Sequence, residues 1–223
     1  MMQQLVLELA PPAAPTLDNF FPGPNVAALA ALHDALAGGE RVVYLWGEHG
    51  SGRTHLLQAV AAAAQAQGQR ALYVPAPHAA LLWHAGQDLI AVDDVECINA
   101  AAQAALFDGY NAMRAGGGRL IAAAIMPAAE LPLREDLRTR LGSGVSLHLA
   151  PLTDRDKADA LAAHAAQRGM RLSQDIVGYV LTHCRRDMGT QIAVLDALDR
   201  LSLEQKRAVT LPLLRDALRA IET

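Results

Sequence analysis

Short apolar runs alternate with longer segments of helical spacing as far as position 150, and beyond that point the spacing is helical throughout. The runs at 41–46, 71–74, 88–94, 119–125 and 146–149 are short and nearly continuously apolar, which predicts buried strands of a parallel sheet. Helical spacing predicts helices at 24–36, from the turn at 47–54 to about 67, and at 99–115, where Ala105, Leu106, Tyr110 and Met113 share a face. A short helix is expected at 78–84 and a helix-rich connection at 127–141. Four more helices are expected at 154–168, capped by Thr153 or Asp154, and at 173–184, 188–203 and 211–221. Strands alternating with helices, then helices alone, predict an α/β core with a parallel sheet and a small all-helical subdomain, with the boundary near Pro151.

The turn after the first run carries candidate chemistry. Gly47-Glu48-His49-Gly50-Ser51-Gly52-Arg53-Thr54, followed by His55, sits between a strand and a helix. It meets the phosphate-loop pattern G-x-x-x-x-G-K-[ST] except that Arg53 replaces the lysine. Glycines at 47, 50 and 52 let the backbone turn its N–H groups inward around an anion, and the helix N-terminus adds its own unpaired donors. Thr54 is positioned to ligate Mg²⁺. Arg53 keeps the charge but presents a planar fork instead of a compact ammonium, so phosphate binding is expected to survive better than chemistry on a terminal phosphate.

A second motif stands at the end of the third run. Leu89-Ile90-Ala91-Val92 precedes Asp93 and Asp94, which places Asp93 at the carboxyl end of a strand, where open α/β sheets bind ligands. Asp93 is expected to hold Mg²⁺ opposite Thr54, and Asp94 to be placed to polarise a water. The fourth run, 120–126, offers no polar side chain, which argues for nucleotide binding and against efficient hydrolysis.

Composition narrows the reading. Apolar residues make up 52% of the 223 positions but aromatics only 4%, which favours closely packed helices over a β-sandwich. The formal net charge of −4 argues against a dedicated nucleic-acid surface. Cys97 and Cys184 fit no metal-ligand spacing and are expected to be reduced, mostly buried thiols. No run approaches a membrane span, and the start lacks a basic segment and is interrupted by Glu8, so a cytoplasmic location is expected.

The first residues form an element of their own. Gln4-Leu5-Val6-Leu7-Glu8-Leu9 alternates, and Pro11, Pro12 and Pro15 follow it in a tether. The pattern alone leaves two readings open: a peptide that docks on another protein, or an edge strand of the same domain.

Taken together, these motifs resemble the AAA+ ATPases and, within them, the DnaA clade. Leu17-Asp18-Asn19-Phe20-Phe21-Pro22-Gly23-Pro24-Asn25 is similar to the segment that borders the adenine pocket in that clade. The match is nearest to the Hda-type DnaA-homologous regulators, on the Q-L-x-L-x-L peptide, Trp46, Arg53, Glu96-Cys97-Ile98 and 151–157. The resemblance implies an AAA+ phosphate-loop core at 17–150, a helical lid at 151–223, and a tail at 1–16 whose Gln4, Leu5, Leu7 and Leu9 bind the DNA sliding clamp, the DNA polymerase III beta subunit. It implies a protein that holds ADP or ATP, with Mg²⁺, and stimulates ATP hydrolysis on DnaA so that replication does not re-initiate. It places the trans-acting arginine finger at Arg140, with Arg138 competing, and implies a possible homodimer without sequence-specific DNA binding. The nucleotide-sensing arginine of the lid falls on Gly189, with Arg186 a substitute, and the polar residue of the fourth strand falls near Ile125. The alternatives are a DnaA-related ATPase or loader that hydrolyses its own ATP, and an adaptor with a dead nucleotide site.

Overall fold

The computed structural model describes residues 14–76, 86–185 and 187–221. The Gln4–Leu9 peptide, the helix expected at 78–84 and Arg186 lie outside the described residues. The chain divides into two compact units, one spanning Pro15–Pro151 and one beginning at Leu152.

The first unit is built on five parallel strands: β1 Val42–Trp46, β2 Ala71–Pro75, β3 Leu89–Asp93, β4 Arg119–Ala124 and β5 Val145–His148, ordered β2-β3-β4-β1-β5. Its helices are α1 Val26–Leu36, α2 Arg53–Ala66, α3 Ala100–Gly116 and α4 Glu135–Leu141. Side chains along each strand alternate between two apolar layers. Val43, Leu45, Leu89, Ala91, Ile121 and Ala123 join Leu32, Leu56, Leu57 and Val60 of α1 and α2. Val42, Tyr44, Ile90, Val92, Leu120 and Ala122 join Leu106, Tyr110, Leu137 and Leu141 of α3 and α4. A central strand buried on both faces needs apolar residues at every position, which explains the continuous runs. Each fully buried leucine or isoleucine contributes about 1.5–3 kcal/mol.

Local differences from the sequence reading have local causes. Pro24 lies in a 3-10 turn, Gly23–Asn25, and α1 proper starts at Val26. The 127–141 connection contributes one short 3-10 turn and the seven residues of α4. Pro127 and Pro132 break the rest, because proline lacks the N–H that a helix interior needs. Cys97 is exposed, contrary to the buried thiol expected, because it ends a 3-10 turn on the surface.

The second unit contains α5 Asp154–Gln167, α6 Gln174–His183, α7 Met188–Gln205 and α8 Leu211–Ile221. Thr153 caps α5 in a reciprocal capping box with Asp156. Leu161, Ile176, Val180, Leu195, Leu198, Leu213 and Leu214 form its core. Asp196 of α7 receives His164 of α5 at 2.7 Å and Arg168, just past the end of α5, at 3.2 Å. No described helix is long and apolar enough to cross a membrane.

Candidate nucleotide site

The strand order puts β4 between β1 and β3, so the two motifs meet across the end of an intervening strand. At the usual strand spacing their parent strands are roughly 10 Å apart. The Gly47 amide donates to the Ala124 carbonyl at 3.1 Å, which ties the start of the loop to the end of β4. A Cβ on Gly47 would run into the Leu149 carbonyl oxygen, so only glycine fits there. Gly52 has φ 97°, and a Cβ on it would lie 2.7 Å from the Phe20 ring. The Ser51 amide closes the turn onto the Glu48 carbonyl at 3.2 Å, while Glu48, His49 and Gly50 are exposed. Ser51 is buried, and its Oγ has no hydrogen-bond partner. α2 starts at Arg53, and its first amides have no acceptor within the helix.

Thr54 Oγ1 donates to Asp93 Oδ2 at 2.6 Å. The Tyr73 hydroxyl donates to the same oxygen at 3.0 Å, and the Asp94 amide donates to Asp93 Oδ1 at 3.1 Å. Asp93 is buried, and these three donors satisfy a charge that would otherwise be costly to bury. Burial and then the Asp93 charge push the Tyr73 phenol up to about 12, so it acts as a donor at neutral pH. Tyr73 was not singled out from the sequence. Its position in β2 gave no signal, because its pairing with β3 follows from tertiary register. The donor set fits a phosphate chain with Mg²⁺: a glycine cradle, an orphaned buried hydroxyl, and a threonine and an aspartate already within bonding distance of each other.

Arg53 is paired within the protein. Its side chain is only 6% exposed and is directed toward the acids after β3, with Nη1 3.4 Å from Asp94 Oδ1 and 3.8 Å from Glu96 Oε1. Asp94, at φ 49°, is therefore engaged by Arg53 instead of standing alone beside a water. Glu96 Oε1 accepts the Ile125 amide at 3.1 Å. A polar group thus does reach the end of β4, but it comes from the turn after β3 and not from β4 itself. Burial, and next the Glu96 charge, hold the Tyr44 phenol well above its usual range; its hydroxyl donates to the Met126 carbonyl at 2.6 Å.

The sequence model of the Hda lid domain matches residues 154–218. That match covers the helical unit, and the chain as a whole has the AAA+ phosphate-loop fold with a C-terminal helical lid. Its fold is similar to AMPPCP-bound DnaA from Aquifex aeolicus, at 22% identity and a TM-score of 0.72 over 87% of this chain and 68% of that one. It is likewise similar to domain III of Thermotoga maritima DnaA, at 18% identity and a TM-score of 0.73 over 96% and 98% of the two chains. The Thermotoga maritima RuvB branch-migration motor matches at 18% identity and a TM-score of 0.63, over 95% and 73%.

In the α/β core the segment before α1 packs on the loop helix. Leu17 is buried, the Phe20 ring lies 5.5 Å from the His55 ring, and His55 Nε2 lies 3.0 Å from the Thr16 carbonyl. Burial lowers the His55 pKa, so the neutral ring donates through Nε2. Asn25 closes the other side by exchanging two hydrogen bonds of 2.9 Å with the backbone of Ala150.

Arg140 lies in the last turn of α4 and lines a cavity of about 480 Å³ with Arg41, Val42, Tyr110, Gly118 and Gly144. Val42 starts β1, and Gly118 and Gly144 immediately precede β4 and β5, so the cavity is at the amino-terminal edge of the sheet. The phosphate loop follows the carboxyl end of β1, about 17 Å away along a five-residue strand. The Arg140 guanidinium lies 4.1 Å from the Phe107 ring centre, and Nη1 donates to the Asp136 carbonyl at 2.9 Å. Among the described residues, Arg138 has no ring or ion-pair partner. In the lid a Cβ on Gly189 meets only the Asp187 carboxylate, at 3.6 Å. Neighbouring Arg185 is exposed and 3.6 Å from Asp187.

Proposed function

We propose that this chain is a nucleotide-holding regulator of replication initiation that works on a partner's ATP. The observation that carries the reading is the placement of Arg140 at the sheet edge opposite the phosphate loop. An arginine there cannot reach the chain's own phosphates, whereas in a head-to-tail pair it would face those of a neighbour. A positioned guanidinium of this kind stabilises the charge that develops on a transferring phosphoryl group. The neighbour is DnaA, on the strength of the Hda-type lid and the DnaA-like core.

The loop amides of 50–55, Ser51 and Thr54 hold ADP, with ATP the competing ligand. Asp93 and Thr54 would hold Mg²⁺, which when bound neutralises phosphate charge. The adenine side is formed by the 16–25 segment, in line with the Phe20 and His55 packing. Gln4, Leu5, Leu7 and Leu9 dock on the sliding clamp and raise the effective concentration of the protein near its partner. No membrane and no specific DNA sequence enters this reading, and a homodimer is compatible with it.

The test is reconstitution of the protein with clamp, DNA and ATP-loaded DnaA, followed by measurement of ADP formation. Stimulation that depends on both the clamp and Arg140 supports the reading; no stimulation with all components present overturns it. The rival reading is an ATPase or loader acting on its own nucleotide, and steady-state turnover near ~1 per second by the isolated protein would favour it. Calorimetry with ADP tests the third reading, a dead site.

A further inference from the structure

The arginine that replaces the phosphate-loop lysine is paired within the protein. Arg53 and Glu96 have side chains 6% and 9% exposed, and their charged groups lie 3.8 Å apart. Each leaves a buried polar atom without a hydrogen bond, Arg53 Nη1 and Glu96 Oε2. The remaining Glu96 oxygen is fixed on the Ile125 amide at the end of β4, one residue beyond the carbonyl that holds the Gly47 amide. Glu96 is thus anchored between the two motifs, and Asp94 adds a second negative charge 3.4 Å from the same guanidinium.

We infer that Glu96 sets the nucleotide preference of the site, favouring a nucleoside diphosphate over a triphosphate. The inference rests on the reading that residues 47–54 hold a nucleotide. The amides of a phosphate loop cradle the first two phosphates and its cation reaches toward the third, and here that cation is already paired with two acids. A third phosphate would have to draw Arg53 from a buried pair, leaving the Glu96 carboxylate buried and uncompensated. It would also approach that carboxylate, a like charge in a low-dielectric setting where repulsion is strong. The first two phosphates would rest on the loop amides and Thr54, whereas Glu96 Oε1 is bound to the Ile125 amide. The same geometry explains why arginine suits this loop: its longer fork reaches the acids after β3 while α2 still starts at Arg53.

The experiment measures affinity for ADP and for a non-hydrolysable ATP analogue by calorimetry, in wild type and in Glu96→Gln. Glutamine keeps an acceptor for the Ile125 amide but removes the charge. The expected result is a fall of about tenfold or more in the ratio of analogue Kd to ADP Kd, with ADP affinity nearly unchanged. Asp94→Asn, at a site 46% exposed, should shift the ratio in the same direction but less; it also provides the test if Glu96→Gln does not fold. In Arg53→Ala, adding Glu96→Gln should produce a smaller change than in wild type. An unchanged ratio in the folded variants, or equal loss of both ligands, overturns the role of Glu96. A wild type that binds neither ligand instead overturns the nucleotide-site reading beneath it.

Discussion

Thr54 donates its hydroxyl proton to Asp93 across 2.6 Å, joining residues that the chain separates by 39 positions. The bond spans the end of β4 and makes one site of a loop after β1 and an acid after β3. With Tyr73 on the same carboxylate oxygen, it holds the two metal-binding candidates together.

Replacing Thr54 with alanine should remove the magnesium-dependent part of nucleotide affinity. A hydrogen bond to a charged group is worth about 1.5–3 kcal/mol, so ADP affinity in Mg²⁺ should fall roughly tenfold or more. Calorimetry with and without the metal checks this. A variant that retains the full response to magnesium would remove Thr54 from the metal site.

Arg140→Ala should leave ADP binding and clamp binding intact and reduce stimulation of DnaA hydrolysis by about 10³-fold or more. Loss of the contact with Phe107 should cost only about 0.5–1 kcal/mol of stability. Arg138→Ala, made in parallel, should retain most of the stimulation. The reverse outcome would assign the role to Arg138, whose side chain has no ring or ion-pair partner among the described residues.

His55 should make the 16–20 segment sensitive to acid. Its folded pKa lies below the ordinary 6.5 because the ring is buried, so the unfolded chain binds the proton more readily. That contribution to stability is complete above about 6.5 and is lost as the pH falls through the folded value. Thermal melts from pH 8 down to pH 5 should show a decline that is shallower in His55→Gln. Parallel curves would show that His55 does not contribute to acid sensitivity.

Alanine at both Gln4 and Leu7 should abolish clamp binding in a pull-down while leaving the melting temperature unchanged. An earlier melt would instead make the peptide a strand of its own domain. That was the other reading the alternating pattern left open.

Much of the core was legible in local pattern. The strands are short apolar runs because β1, β3 and β4 are buried on both faces, and Gly47 marks the loop because the Leu149 carbonyl excludes any Cβ there. The Thr153 cap and the helices beyond it follow from capping chemistry and apolar spacing. These are properties of consecutive residues, so the sequence by itself determined the order of elements, the glycine-rich turn between β1 and α2, and Asp93 at its strand end. The direction of Arg53, the reach of Glu96 to the Ile125 amide and the bond from Tyr73 to Asp93 were decided only by the tertiary structure. Each depends on β4 lying between β1 and β3 and on β2 lying beside β3. That order sets which charges share a low-dielectric space, and no spacing along the chain encodes it.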